Sequence, residues 1–151
     1  MWGWLTFTNA ADLGGTVAWI KPALGSGEDR GGFSLTAAAF GARYLPPGRG
    51  TNVLGLTVNT NLTLMLTPGG LEMADQFALE ANGHVTTLSG PKLSLTFTTA
   101  TGAFNGSMRI PGTSKSVSFG GVLLQDRLAG FGFFMGGHGS GEVLVVNQNL
   151  P

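Results

Sequence analysis

Leu93-Ser94-Leu95-Thr96-Phe97-Thr98 alternates large apolar and small polar side chains without a break. A period of two places leucine and phenylalanine on one face of an extended chain and serine and threonine on the other, the pattern of a half-buried strand. Thr101-Gly102 supplies a turn, and Ala103 to Ile110 runs to a second turn at Pro111-Gly112. Ser116 to Gln125, Gly130 to Met135 and Gly141 to Val146 continue the series. Turn signals recur about every 8 to 12 residues, the spacing of an antiparallel sandwich or barrel, and the whole chain reads as all-β with about eleven or twelve short strands. Glycines at Gly106, Gly120, Gly121, Gly130 and Gly132 fall inside these strands. They would weaken a flat sheet, so they mark bends or close backbone crossings, and tight curvature favours a barrel.

Upstream the same reading gives a first hairpin from Trp4 to Thr8 and Thr16 to Ile20. Lys21 to Gly32 is a loop carrying Glu28, Asp29 and Arg30, the densest charge cluster present. Phe33 to Phe40 is alanine-rich, and periodicity leaves strand and helical turn both open. Tyr44-Leu45-Pro46-Pro47-Gly48 ends any regular element, because proline lacks an amide donor. Asn52 to Val58 and Asn61 to Leu66 read as strands of a second hairpin around Asn59-Thr60, stopped by Pro68-Gly69-Gly70. Gln76 to Glu80 and His84 to Leu88 flank Asn82-Gly83, a type I′ signal for a third hairpin.

The 151 residues suffice for a single domain spanning 1–151. Eight basic and eight acidic residues, 11% of the chain, leave no field to steer a polyanion, so nucleic acid is not an expected partner. With no cysteine, disulfides, thiol catalysis and thiolate metal sites are excluded. No apolar run approaches the roughly 18 residues of a membrane helix, and most of the candidate strands are shorter than the nine to eleven residues or so of a membrane barrel, so no membrane insertion is expected. Met1-Trp2-Gly3-Trp4 lacks the basic and long apolar regions of a signal peptide. A neutral, weakly charged surface opposes strand-to-strand contact poorly, which makes a homo-oligomer the expected state.

Gly3-Trp4-Leu5-Thr6-Phe7, Ala18-Trp19-Ile20-Lys21-Pro22, Gly41-Ala42-Arg43-Tyr44-Leu45-Pro46-Pro47, Thr101-Gly102-Ala103-Phe104-Asn105-Gly106-Ser107 and Phe119-Gly120-Gly121-Val122-Leu123-Leu124-Gln125 together resemble a glycine-rich β-domain repeated in large, mostly uncharacterised verrucomicrobial proteins. Gly130 to Gly136 and Ser140 to Val143 extend the likeness over most of the chain. The resemblance implies an exported or cell-surface context. Family members carry further β-hairpins before the segment similar to Trp4 to Phe7, so it also implies a domain short of leading strands. An edge left unpaired in this way needs covering, and a second copy of the chain is the simplest cover.

Residues able to carry chemistry are few. His138 sits in Gly136-Gly137-His138-Gly139-Ser140-Gly141, where backbone amides could hold an anion, but a turn with an incidental histidine is the favoured reading of the same letters. Ser140 beside it lacks the strand-turn-helix setting of a nucleophile elbow. Glu28, Asp29, Glu72, Asp75 and Asp126 are the carboxylates to test for the facing pair that glycoside hydrolysis requires, against the plain reading of solvated charges. Trp2, Trp19 and Tyr44 are candidates for stacking on sugar rings, whereas Trp4 and Trp19 have apolar strand neighbours that suit core packing. No ligand spacing supports a metal, and the glycine-rich stretches lack the residues of phosphate or dinucleotide loops, so no cofactor is expected.

These features favour a non-catalytic β-module for self-association or for binding a ligand such as a carbohydrate. The competing reading is a small hydrolase of glycosidic or ester bonds, its site assembled where chains meet.

Overall fold

A computed structural model describes residues 1–8, 12–26, 30–57, 59–67, 71–81, 83–89, 92–136 and 139–147. Described residues form eleven strands and one 3-10 turn, so the chain is all-β, and it divides into two compact units, Met1–Arg43 and Tyr44–Pro151.

The first unit is a three-stranded antiparallel sheet in the order β1-β2-β3, with β1 Trp2–Thr8, β2 Asp12–Lys21 and β3 Phe33–Ala42. The hairpin expected from Trp4 to Ile20 is present, with Leu5 opposite Gly15 and Trp4 opposite Thr16. Phe33 to Phe40, open between strand and helical turn on periodicity, is strand and pairs with β2 along its full length. Cross-strand pairing along β2 decides what the alanine run could not.

The second unit holds β4 (Thr60–Thr67), β5 (Met73–Leu79), β6 (Val85–Ser89), β7 (Leu93–Thr98), β8 (Ala103–Arg109), β9 (Ser116–Leu124), β10 (Ala129–Gly136) and β11 (Gly139–Val146). Their order is β6-β5-β4-β11-β10-β9-β8-β7, antiparallel throughout. Because β11 returns to pair with β4, the two edges are β6 and β7, which are consecutive in the chain and approach each other. The sheet is therefore a nearly closed barrel.

Alternation fills its interior. Leu62, Leu64 and Leu66 of β4, Phe77 and Leu79 of β5, Met108 of β8 and Val143 and Val145 of β11 are buried. Phe77, Phe97, Phe104 and Phe119 form a chain of rings across the interior, with successive centroids 6.4, 6.0 and 6.5 Å apart. Such tilted contacts suit the ring quadrupole. Ser94, Thr96, Asn105, Ser107 and Ser118 occupy outward positions of β7 to β9, and Val122, Phe133 and Met135 are exposed on the outer face of β9 and β10. No helix of the described residues is long and apolar enough to cross a membrane.

Curvature comes from inward glycines. A side chain on Gly121 would run into the Phe131 carbonyl oxygen and stand 2.7 Å from Gly132 Cα, and Gly106 and Gly132 meet neighbouring carbonyl oxygens in the same way. The strands fold so sharply toward the interior here that no Cβ fits.

Asn52 to Thr57, the described part of the strand expected from Asn52 to Val58, is not a strand. Asn52 Oδ1 accepts from the amides of Leu54 (3.0 Å) and Leu56 (3.2 Å), and Gly55, at φ +81°, donates its amide to Asn52 O. This side-chain-directed turn outcompetes a ladder. It still buries Val53 and Leu54, which is why its composition mimics a strand. The third hairpin is as expected, with Gly83 at φ +80°, while Asn82 and the Pro68-Gly69-Gly70 stop lie outside the described residues.

Candidate functional site

The three-stranded sheet sorts its residues by face. Register places Leu5 and Phe7 with Leu13, Val17 and Trp19 and with Leu35 on one side. The only charge at these alternate positions is Lys21, at the last position of β2. The other side carries Trp2, Trp4, Thr6 and Thr8 of β1 beside Asp12, Thr16, Ala18 and Ile20 of β2 and Ser34, Thr36 and Phe40 of β3. Within the described part of β1 to β3 no residue is buried. Trp2 is 65% exposed, Trp4 83%, Phe7 79% and Trp19 51%. Trp4 and Trp19 were expected in a core, but a single layer has no second layer in its own unit to cover them. Phe33 meets Trp19 edge to face at 5.4 Å between centroids.

Trp2 and Trp19 cannot share a platform, because Trp2 is opposite Ala18 and the next residue along β2 points to the other face. Trp2 and Trp4 do share one. They are two residues apart on an edge strand, about 6.6 Å by strand rise, and point the same way.

Tyr44 belongs to the second unit and has structural partners. Its hydroxyl donates to Thr99 O at 3.1 Å, and its ring occupies the space any side chain at Gly102 would need. Burial pushes its phenol above the ordinary value. Gln125, which sequence reasoning passed over, fastens the same segment. Its Oε1 accepts from the Leu45 amide (2.9 Å), and its Nε2 donates to Leu45 O (2.9 Å) and Val53 O (3.0 Å).

The carboxylates are dispersed. Glu72 and Asp126 are exposed, Asp126 in the 3-10 turn Gln125–Arg127. Asp75 is buried at 2% exposure, on the inward face of β5 between Met73 and Phe77. Its Oδ1 accepts from the Gln76 amide at 2.8 Å, and its Oδ2 has no partner. Burial raises its carboxyl above the ordinary aspartate value, opposed in part by the Gln76 bond. No second described carboxylate is among the buried residues with it. Glu28, Asp29 and His138 lie outside the described residues. His84 faces Glu80 at 3.5 Å in an exposed pair, with Thr86 donating to Glu80 at 3.0 Å. Among the described residues no group of three histidines or carboxylates is placed to hold a metal ion.

One depression of about 500 Å³ opens beside β9 and β10, lined by Leu71, Ile110, Ser116, Ser118, Phe133 and Met135 among others. Lys115 is its one charged lining residue, which gives it no acid–base pair. Set against family models, curated proteins and solved structures, the chain matches none.

Proposed function

We propose that the chain is a non-catalytic β-module of a bacterial surface protein that binds a carbohydrate by stacking sugar rings on Trp2 and Trp4. The observation that carries this reading is the exposure of both indoles on one face of an edge strand. An indole is a broad apolar surface with one polar tip, suited to the apolar face of a pyranose. Thr6 and Thr16 stand on the same face and supply hydroxyls for the sugar's own. The dispersal of Glu72, Asp75 and Asp126 supports a binding rather than a hydrolytic role. The surface context follows from the verrucomicrobial resemblance.

All three tryptophans lie in the first unit, so indole emission reports on this sheet alone. A glycan array followed by emission titration should give binding that weakens roughly tenfold in Trp2→Ala and in Trp4→Ala, about 1.4 kcal/mol each. Trp19→Phe should bind as the parent does. Absence of any glycan response would refute the carbohydrate reading, and turnover of chromogenic glycosides or esters would refute the non-catalytic one.

A further inference from the structure

The opposite face of the same sheet leads to a partner. A Cβ on Gly3 would run into Thr16 O and stand 2.8 Å from Val17 Cα, and one on Gly15 would run into Trp4 O and stand 3.0 Å from Leu5 Cα. This is the signature of Gly106, Gly121 and Gly132 in the barrel, where it marks the concave side. Gly3 and Gly15 share their face with Leu5, Phe7, Leu13, Val17, Trp19 and Leu35. The sheet is thus bent toward the face that carries Leu5, Phe7, Val17 and Trp19. It has the curvature and the inner surface of a barrel wall but only three strands, with β1 and β3 as edges of its ladder.

We propose that two copies of the chain close a six-stranded intermolecular barrel, concave face to concave face, with β1 pairing β1 and β3 pairing β3 of the second copy. Both edges run in the same direction, since each is antiparallel to β2. One two-fold axis therefore makes both seams antiparallel, and the interface is isologous and closed. β1 bears no charge or proline to block edge pairing. Apart from Lys21 at the rim, no like charges oppose each other across the new core. A core aromatic removes about 150–250 Å² from water, so Phe7 and Trp19 with Leu5 and Leu35 bring each copy to roughly half of the 800 Å² or so that a standard interface takes from one partner. The two seams contribute the rest. Trp2 and Trp4 stay on the outer surface, so this dimer stands or falls independently of carbohydrate binding.

The test is sedimentation equilibrium of the full chain from about 1 to 100 µM, with indole emission read alongside. The expected species has twice the 15.5 kDa chain mass, and dissociation on dilution shifts the Trp19 emission to the red. Phe7→Lys and Leu35→Lys, each placing a charge inside the closed barrel, should give monomers. Thr36→Lys, on the outer face, should remain a dimer, and circular dichroism should show the barrel of Tyr44–Pro151 folded in all three. The melting midpoint followed by indole emission should rise with protein concentration. A parent chain that stays monomeric at 100 µM overturns the proposal, whether Trp19 is then exposed or covered by another part of its own chain. A dimer indifferent to both inward lysines overturns it as well.

Discussion

Gly120 and Gly121 are adjacent on β9 and meet opposite surroundings, so exchanging each for alanine isolates the curvature of the barrel from its glycine content. At Gly120, which points outward, an added Cβ finds nothing closer than Phe104 O at 3.5 Å, an ordinary contact. At Gly121, which points inward, it meets the Phe131 carbonyl oxygen, Gly132 Cα at 2.7 Å and the Phe104 ring at 2.5 Å. Neither residue has a positive φ, so backbone strain does not enter. Alanine at 120 restricts the unfolded chain and should stabilise by roughly 0.5–1 kcal/mol. The same benefit at 121 is outweighed, because two of the obstructing atoms are backbone of a paired strand that can yield only by opening the bend. The unfolded-state benefit is common to both positions and cancels, so overpacking of this kind separates the two variants by about 1–3 kcal/mol. For a unit of this size each kcal/mol moves the midpoint by roughly 4 °C, so thermal unfolding followed by circular dichroism should separate the variants by roughly 4–12 °C. Midpoints agreeing within about 2 °C would refute the claim that β9 bends inward at Gly121.

Two further outcomes follow from polar groups in the barrel. Asp75 has a carboxyl raised above its unfolded value of 3.8 by burial, so below that pH both states hold the proton and no penalty arises. As pH climbs above 3.8 the unfolded chain releases its proton first, stability falls, and the loss levels off beyond the folded value. Asp75→Asn should flatten this part of the profile in urea titrations from pH 3 to 8, and an unchanged profile would place the pH sensitivity elsewhere. Gln125→Ala strips the partner from buried Val53 O and should cost about 1–3 kcal/mol in chemical denaturation. Gln125→Glu should do no better, since a second carboxylate oxygen would then face the Leu45 and Val53 carbonyls; a Glu variant as stable as the parent contradicts this role.

How far the letters reach depends on the range of the interaction. The barrel strands β7 to β11 were legible because alternation and turn residues are local, and the inward glycines were readable as crossings for the same reason. Burial of Asp75 was also legible in principle, since it shares parity with Met73, Phe77 and Leu79 on one strand. Asn52 to Val58 misled because a buried loop and a buried strand have the same composition, and only the Asn52 carbonyl, with Gly55 three residues on, separates them. The role of Gln125 depends on a segment eighty residues away and has no local signature. The faces of Trp2 and Trp19 turn on hairpin register, which a one-residue slip would invert.

One structural device serves both sheets with different consequences. Inward glycines let adjacent strands fold toward each other, and in Tyr44–Pro151 eight strands carry that bend nearly through a full turn, so the apolar side becomes an interior packed with rings. In Met1–Arg43 the same bend runs through three strands and stops, leaving Phe7 and Trp19 exposed on the side that curvature has already shaped as an inside. The outer side carries Trp2, Trp4, Ile20 and Phe40 beside threonine and serine, so the small sheet exposes large apolar side chains on both faces. The proposed dimer uses the concave face and the proposed sugar site the outer one, so substitutions at Phe7 or Leu35 and at Trp2 or Trp4 test the two separately.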